Sequence, residues 1–340
     1  MIIKTRHVRN RVLIVGGGER AQAIARVLQQ TSPKYCDIVG FVDDDFRSNG
    51  SMLEHRLLLG KTVDLPRLVI QNQVQEVVVA LDNYLEEKLF RLLIECQERG
   101  IRVSYMPDLH EKLRYSVPVE HIDPTWALGI MQKLPNPFQL FVKRLLDILF
   151  GIVGLLNLAT ILPFVALAIY LDSPGPIFYR QVRAGRSGKP FSIIKFRTMS
   201  VDAEKDGKAC WATEGDVRIT RVGRFLRQTG MDELPQVLNV LRGEMSIVGP
   251  RPERPQFIKH LEREIPFYRT RLMVKPGLTG WAQVRYKYGN SVKDALIKLQ
   301  YDCYYLRHWS LWLDLSIILQ TIKVLLKFRG HDSLPLSSKR

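Results

Sequence analysis

Cysteine is scarce in this sequence, and acid is in short supply. Only four cysteines occur in 340 residues, and Cys36, Cys96, Cys210 and Cys303 show no paired C-x-x-C spacing. That excludes a zinc ribbon or a disulfide-stapled scaffold and fits ordinary thiols in a reducing compartment. The chain does not open on a short apolar stretch followed by a small-residue cleavage site, so no secretory leader is expected. Internal repeats and low-complexity tracts are also missing. With 46% hydrophobic and 25% charged residues the chain is neither disordered nor collagen-like. Its length allows about two domains with sizeable cores.

The shortage of acid is local. Against 50 Lys and Arg stand 34 Asp and Glu, a net charge of +16. Residues 1–140 hold 18 basic and 17 acidic side chains, while residues 141–340 hold 32 and 17. A basic surplus suits nucleic acid, a membrane surface or phosphate-rich substrates. No nucleic-acid-binding signature is present, and the next feature points elsewhere.

Ile148 to Leu171 is a run of 24 residues without a charge. As a helix it would extend about 36 Å, enough to cross a hydrocarbon core of roughly 30 Å. Pro163 lies inside it, where it breaks or kinks a helix. Lys143 and Arg144 precede the run and Arg180, Arg183, Arg186 and Lys189 follow it, so the flanks give no clear orientation. They favour a helix-break-helix hairpin entering and leaving one leaflet over a span, with Thr160 or Asn157 satisfying the backbone groups freed at Pro163.

The first part alternates apolar strands (Arg11–Val15, Asp37–Val42, Glu76–Ala80, Ile101–Tyr105) with helical stretches from about Glu19 to Gln30 and from Glu86 to Arg99. This rhythm predicts a doubly wound parallel sheet. Five prolines within about 106–139 read as an irregular linker. Between the first strand and helix stands Gly16-x-Gly18-x-x-Ala21, with Asp43 at the end of the second strand, near where an acid binds a ribose. Either a nucleotide phosphate sits on that helix N-terminus or the scaffold holds no ligand.

Five later segments are candidates for chemistry. Ser173 to Met199 carries six basic residues and no acid, including Lys195 and Arg197. RQTGMDELPQVLNVLRG, Arg227 to Gly243, places Asp232 and Glu233 ahead of Pro235, which suits a first helical turn. The same pattern is common as an N-cap Asp followed by a first-turn Glu. Pro250 and Pro252 stiffen the chain around Arg251. KPGLTGWAQVR contains Gln283 and Arg285, and Tyr301-Asp302 precedes an amphipathic stretch, Trp309–Arg329. In that stretch Ser310, Asp314, Gln320, Lys323 and Lys327 recur among apolar residues, with Trp309 and Trp312 at one end. It suits a membrane interface or a protein core.

In their order, the apolar run, SPGPIFYRQVRAGRSGKPFSIIKFRTM, MDELPQVLNVLRGEMSIVGPRP, KPGLTGWAQV and YDCYYLRHWSLWLDL resemble the monotopic phosphoglycosyl transferases, the bacterial sugar transferase family. The resemblance covers about Phe141 to Gly330. The part in front resembles the extra domain of larger members, without their several N-terminal transmembrane helices. The fold expected is α/β. A Rossmann-like parallel sheet occupies 1–128, a linker 129–140, a re-entrant membrane helix 141–172, and a mainly α, loop-rich catalytic domain with amphipathic interfacial helices 173–340.

The resemblance implies transfer of a sugar-1-phosphate from a UDP-sugar to a polyprenyl phosphate, releasing UMP, on the cytoplasmic face of a bacterial inner membrane. It implies a covalent intermediate on Asp232 and Mg²⁺ held by Glu233 with Asp232. Lys195, Arg227 and Asp302 complete the implied catalytic set, and Arg197, Pro250, Arg251, Pro252, Gln283 and Arg285 the substrate-binding set. Arg285 matches less closely, because Arg285-Tyr286-Lys287 stands where many members have Asn-Gly-Arg. The implied partners are the two substrates and the bilayer; a homodimer, and a nucleotide on the N-terminal domain, stay open. Two other readings stand beside this one: a membrane-attached NAD-dependent dehydrogenase or epimerase built on GGGERA and Asp43, and a scaffold for polysaccharide assembly. Physically, a carboxylate with an ordinary pKa near 4 is ionised at neutral pH and attacks phosphorus without a base. Cations must then offset the meeting of anions.

Overall fold

The computed structural model describes residues 10–31, 36–44, 52–54, 56–132, 135–201, 203, 216–286, 289 and 291–328; Asp45, Cys210, Lys287 and everything beyond 328 lie outside them. The chain divides into two compact units, Met1–Asp123 and Pro124–Arg340.

The first unit is built on β1 (Asn10–Val15), β2 (Cys36–Val42), β3 (Met52–Leu53), β4 (Arg56–Gly60), β5 (Glu76–Val79) and β6 (Arg102–Tyr105). Their order is β3-β4-β2-β1-β5-β6, all pairs parallel except β3 with β4. Helices α1 (Glu19–Thr31), α2 (Leu65–Gln71), α3 (Glu87–Glu98) and α4 (Met106–Arg114) complete it. β1 shows why its sequence is apolar without alternation. Val12 and Ile14 pack in one cluster with Ile24, Leu28 and Met106, while Leu13 and Val15 pack in another with Leu65, Leu68, Leu89 and Leu93. A parallel strand covered on both faces needs apolar residues at every position.

The second unit contains α5 (Pro124–Gln132), α6 (Pro137–Asp172), β7 (Phe178–Ala184), β8 (Pro190–Phe196), α7 (Arg221–Thr229), α8 (Val237–Arg242), β9 (Ser246–Val248), α9 (Pro255–Glu264), β10 (Gly277–Thr279), α10 (Trp281–Arg285), α11 (Val292–Arg307) and α12 (Leu311–Phe328). β7 and β8 form an antiparallel hairpin, and β9 and β10 a short parallel pair. The irregular linker expected around 106–139, and its narrower form at 129–140, give way to α4, α5 and the start of α6. Pro107, Pro124 and Pro137 each stand in the first turn of a helix, where the missing N–H removes no hydrogen bond. Asn136 adds a capping box to α6, accepting from the Gln139 N–H at 2.8 Å. α5 packs on α11, with the Arg307 guanidinium 4.1 Å from the centre of the Trp126 ring.

The apolar run is the body of α6, whose 36 residues make a helix about 54 Å long. The break expected at Pro163 is absent: the helix continues through it. Its buried residues Asp147, Gly151, Leu158, Val165 and Ile169 form one stripe on both sides of the proline. One missing N–H is tolerated when packing along that stripe holds the flanking turns. Thr160 and Asn157 do not serve the freed groups; they donate to Asn157 O and Val153 O, each at 2.8 Å.

Charge fixes α6 to the unit. Lys143 Nζ donates to Asp314 of α12 at 2.6 Å and to Val248 O at 3.0 Å. The Tyr305 hydroxyl donates to the other Asp314 oxygen at 2.8 Å. Arg144 donates to the carbonyls of Val240 and Leu241 at the end of α8, and Asp147 accepts from Ser246 and the Ile247 N–H. Asp314 therefore leaves the polar face expected of the 309–329 stretch and faces inward. Outward face Trp312, Leu315, Leu319 and Ile322. Removing Lys143 would strand a buried carboxylate, so Lys143→Met should lower unfolding stability by about 3 kcal/mol. Lys143→Met with Asp314→Asn should recover part of that loss, with both effects read from thermal melts in detergent.

Candidate active site

α7 ends at Gly230, whose φ of +71° turns the chain into a short 3₁₀ turn, Met231–Gln236. Asp232 and Glu233 lie in this turn, with Pro235 inside it, and α8 follows directly and ends at Gly243. The carboxylates thus occupy a tight turn ahead of a six-residue helix rather than the first turn of the helix itself.

A buried amide sets this turn against β8. Asn239 of α8 is fully buried. Its Nδ2 donates to Ser192 O at 2.8 Å and to Glu244 at 2.7 Å, and its Oδ1 accepts from the Ile194 N–H at 3.1 Å. The next residue in β8 is Lys195, whose Nζ donates to Glu233 Oε1 at 2.6 Å. Arg251 completes the clamp with Nη1 on Glu233 Oε2 at 3.1 Å and Nη2 on Oε1. The backbone around Arg251 is fixed on both sides. Pro250 O accepts from the Gly277 N–H at 2.9 Å, and Pro252 O from Arg183 at 3.1 Å. A Cβ on Gly277 would lie 2.1 Å from Gly249 N, so this crossing requires glycine.

The neighbouring carboxylates are driven apart electrostatically. Burial opposes charge on Glu233, but Arg251 and Lys195 outweigh it and hold its carboxyl far below the ordinary range. Burial, and then the Glu233 charge, push Asp232 up, while Lys195, Arg251 and Arg227 draw it back. The ordinary value near 4 expected for Asp232 is therefore corrected upward. Asp232 has no hydrogen-bond partner among the described residues, so its oxygens are left for a reactant. Arg227 is held by its Nε donating to Thr198 Oγ1 at 2.9 Å.

Other expected residues have different neighbours. Asp302 is 1% exposed and pairs with Arg271 Nη2 at 2.9 Å, behind Arg251 rather than beside Asp232. Burial pushes the Asp302 carboxyl up to about 6, against the pull of Arg271. Arg197 is buried and donates to Ser173 O, the residue after α6. Gln283 donates to Leu278 O at 3.1 Å, and the Arg285 guanidinium lies 4.2 Å from the centre of the Trp281 ring. Asn239 and Arg271 were not anticipated. An Asn inside the apolar run VLNVL is a signal for the first; Arg271, one cation among many, carries none.

In the first unit, Gly16 and Gly18 follow β1 and Ala21 is buried in α1. Asp43 follows β2, its N–H donating to Gly60 O at 3.2 Å. The start of α1 already has an anion. Asp82, after β5, accepts from the Glu19 and Arg20 N–H groups at 3.0 and 3.1 Å. A Cβ on Gly18 would fall 1.6 Å from Asp82 Oδ2. The seat that a dinucleotide phosphate would need is filled by the chain's own carboxylate.

Residues 138–328, more than half of the chain, match the family model for bacterial sugar transferases. The chain belongs to the bacterial sugar transferase family. Residues 2–107 match the model of a CoA-binding domain. Among similar curated proteins is a UDP-N-acetylgalactosamine-undecaprenyl-phosphate N-acetylgalactosaminephosphotransferase of Aeromonas hydrophila, 38% identical over 87% of this chain and 67% of that protein. A UDP-glucose:undecaprenyl-phosphate glucose-1-phosphate transferase of Xanthomonas campestris pv. campestris is 35% identical over 92% of this chain and 65% of that protein. Another of that name, from Caulobacter vibrioides, is 46% identical over 54% of this chain and 69% of that protein. The chain spans about two thirds of the length of these relatives.

Among the described residues no cluster of three or more His, Cys, Asp or Glu could hold a metal ion by itself. Two adjacent carboxylates fit the alternative, a Mg²⁺ bound through one or two carboxylates and substrate phosphates.

The raised Asp232 carboxyl gives opposite trends with pH. A carboxyl whose folded pKa exceeds its unfolded pKa contributes stability that is complete below the unfolded value and lost as pH rises through the folded one. Asp232→Asn should therefore melt at or above the wild type at pH 7.5, and the two melting points should converge below pH 4. Glu233→Gln should melt lower at pH 7.5, because it removes the paired anion.

Proposed function

We propose that this protein transfers a sugar-1-phosphate from a UDP-sugar to a polyprenyl phosphate, such as undecaprenyl phosphate, through a covalent intermediate on Asp232. The observation that carries this reading is an unpartnered carboxylate next to one locked by two cations. Asp232 keeps its lone pairs for attack, while Lys195, Arg251 and Arg227 gather positive charge where phosphate must enter. The names of the relatives support the same substrate classes, and they differ in the sugar.

An Asp232 oxygen attacks the β-phosphorus of the donor, and the bond from that phosphorus to the bridging oxygen breaks. UMP leaves with that electron pair, and the sugar phosphate remains as an acyl phosphate on Asp232. An oxygen of the polyprenyl phosphate then attacks the same phosphorus, which frees the Asp232 carboxylate and forms the lipid diphosphate sugar. Neither displacement needs a general base, because both nucleophiles are anions. Arg227 and Arg251 supply charge for the departing UMP and the incoming lipid phosphate. Asp232 and Glu233 would hold Mg²⁺, which when bound screens the diphosphate charge. Glu233 must then share its oxygens with that ion.

The lipid acceptor requires a membrane, and α6 and α12 supply apolar surface for one. Phe138, Phe141, Leu145, Leu149, Leu156, Phe164 and Leu171 are exposed on α6. Both ends of α6 are fastened to the same unit, through Arg144 at one end and at the other through Asp172, which accepts from the Val222 N–H at 2.9 Å. A spanning helix would put its ends on opposite faces of a core roughly 30 Å thick. We infer that α6 stays within one leaflet rather than spanning, with both units on the cytoplasmic face of the inner membrane and α12 lying at the interface.

Purified full-length protein with Mg²⁺, undecaprenyl phosphate and a panel of UDP-sugars should release UMP with at least one donor. Asp232→Asn should lose at least about 1,000-fold in rate, as expected for a missing nucleophile. Intact-mass spectrometry without acceptor should show the wild type, but not Asp232→Asn, heavier by one sugar phosphate. Normal turnover by Asp232→Asn would overturn the assignment. Tags at residues 1 and 340 should both be protected from protease added outside sealed inner-membrane vesicles of right-side-out orientation; a tag cleaved on one end only would establish a span.

A further inference from the structure

The residue behind the clamp is Arg271, in the 3₁₀ turn Tyr268–Met273. Its side chain is 4% exposed and has three distinct partners. Nη2 pairs with Asp302 of α11 at 2.9 Å and donates to the backbone carbonyl of Arg251 at 3.0 Å, and Nη1 donates to the Tyr268 hydroxyl at 2.8 Å. Burying an arginine is expensive unless its donors are used in fixed directions. Here one of those directions is the main chain of the residue whose guanidinium grips Glu233. Tyr268, 2% exposed, and Asp302, 1% exposed, leave Arg271 no room to turn.

We propose that Arg271 is a positioning residue for the transfer reaction: held by Asp302 and Tyr268, it fixes the Arg251 backbone and thereby aims the Arg251 guanidinium at Glu233 and the substrate phosphates. Asp302 then acts at two removes from the reacting atoms, through Arg271 and Arg251. The planar fork explains why an arginine is needed. One guanidinium can pair with a carboxylate while donating to a carbonyl and a hydroxyl at fixed angles, whereas a lysine ammonium can keep the charge opposite Asp302 but not both of those directions. The proposal rests on the phosphoglycosyl transfer reading of the Asp232 site.

The test is Arg271→Lys in the full-length protein, which keeps Asp302 paired. UMP release should fall about 10- to 100-fold in kcat, the size expected when a reacting group is misplaced by an ångström or so. In an Arg251→Ala background the same change should cost less than about 2-fold, because the residue it acts through is gone. Hydrogen exchange followed by mass spectrometry should show faster exchange in peptides covering 249–253. Wild-type kcat in a folded Arg271→Lys protein, an equal loss with and without Arg251, or unchanged exchange at 249–253 would each overturn the proposal. If Arg271→Lys does not fold, Tyr268→Phe removes one of the three fixing bonds and is read through the same cycle. Should the wild type release no UMP with any donor, the transfer reading fails, and the exchange at 249–253 alone decides whether Arg271 fixes the Arg251 backbone.

Discussion

The clamp on Glu233 is the interaction on which the second unit's chemistry depends. Two carboxylates in successive residues of a tight, buried turn cannot both remain unpaired anions, because burial and mutual repulsion raise the pKa of whichever is left alone. Lys195 and Arg251 resolve the conflict by taking Glu233, which leaves Asp232 raised yet still within reach of ionisation at neutral pH. The clamp joins three segments distant in sequence: β8 brings Lys195, the 3₁₀ turn brings the carboxylates, and the rigid Pro250-Arg251-Pro252 stretch brings the second cation. Asn239 holds the first two together and Arg271 stands behind the third. Two of its cations are placed through buried polar groups that fix their backbone, Lys195 through Asn239 and Arg251 through Arg271.

A second constraint reverses the usual rule of burial. In α6 and α12 the charged residues Lys143, Asp147 and Asp314 point inward, Lys143 with Asp314 and Asp147 with Ser246, while many large apolar residues point outward. In water this arrangement would be unstable: fully burying a Leu or Phe is worth roughly 1.5–3 kcal/mol, and here that gain is deferred. Against lipid the logic is consistent, since charge is costly there and is hidden within the protein. The charge surplus of residues 141–340 then acts on two targets. On the proposed reading these are the substrate phosphates of the site and the anionic headgroups beside an apolar face.

The parallel sheet was legible in the sequence because its strands are buried on both sides and separated by helices of ordinary length. The paired carboxylates were legible as a motif, and their separation into a locked and an unpaired member was not, because it depends on cations 18 and 38 residues away in sequence. The prolines misled in two ways. Pro107, Pro124 and Pro137 read as a linker although each begins a helix. Pro163 read as a break although a stripe from Asp147 to Ile169 holds α6 together across it. Proline constrains one φ and removes one donor, and tertiary packing decides whether that ends a helix. Periodicity located α12 but could not say which side faces the protein, since an inward ion pair and an outward Trp give the same repeat.

In the first unit a carboxylate of the chain itself stands at the helix N-terminus where the glycine pattern suggests an anion. Gly16-x-Gly18-x-x-Ala21 has the spacing of a phosphate-binding turn and stands beside the point where the strand order reverses, the usual ligand crevice of such sheets. Small residues there are evidence that something negative approaches closely; they do not say what it is. In this chain it is Asp82, close enough to Gly18 that any side chain would collide with it and bonded to two N–H groups at the start of α1. A carboxylate already satisfying a helix N-terminus must be displaced before a phosphate can take its place, and the displaced charge would sit next to the newcomer. The glycine pattern is thus fully used by the fold. A ligand for this unit would have to bind elsewhere on it, or supply enough energy to move Asp82 away.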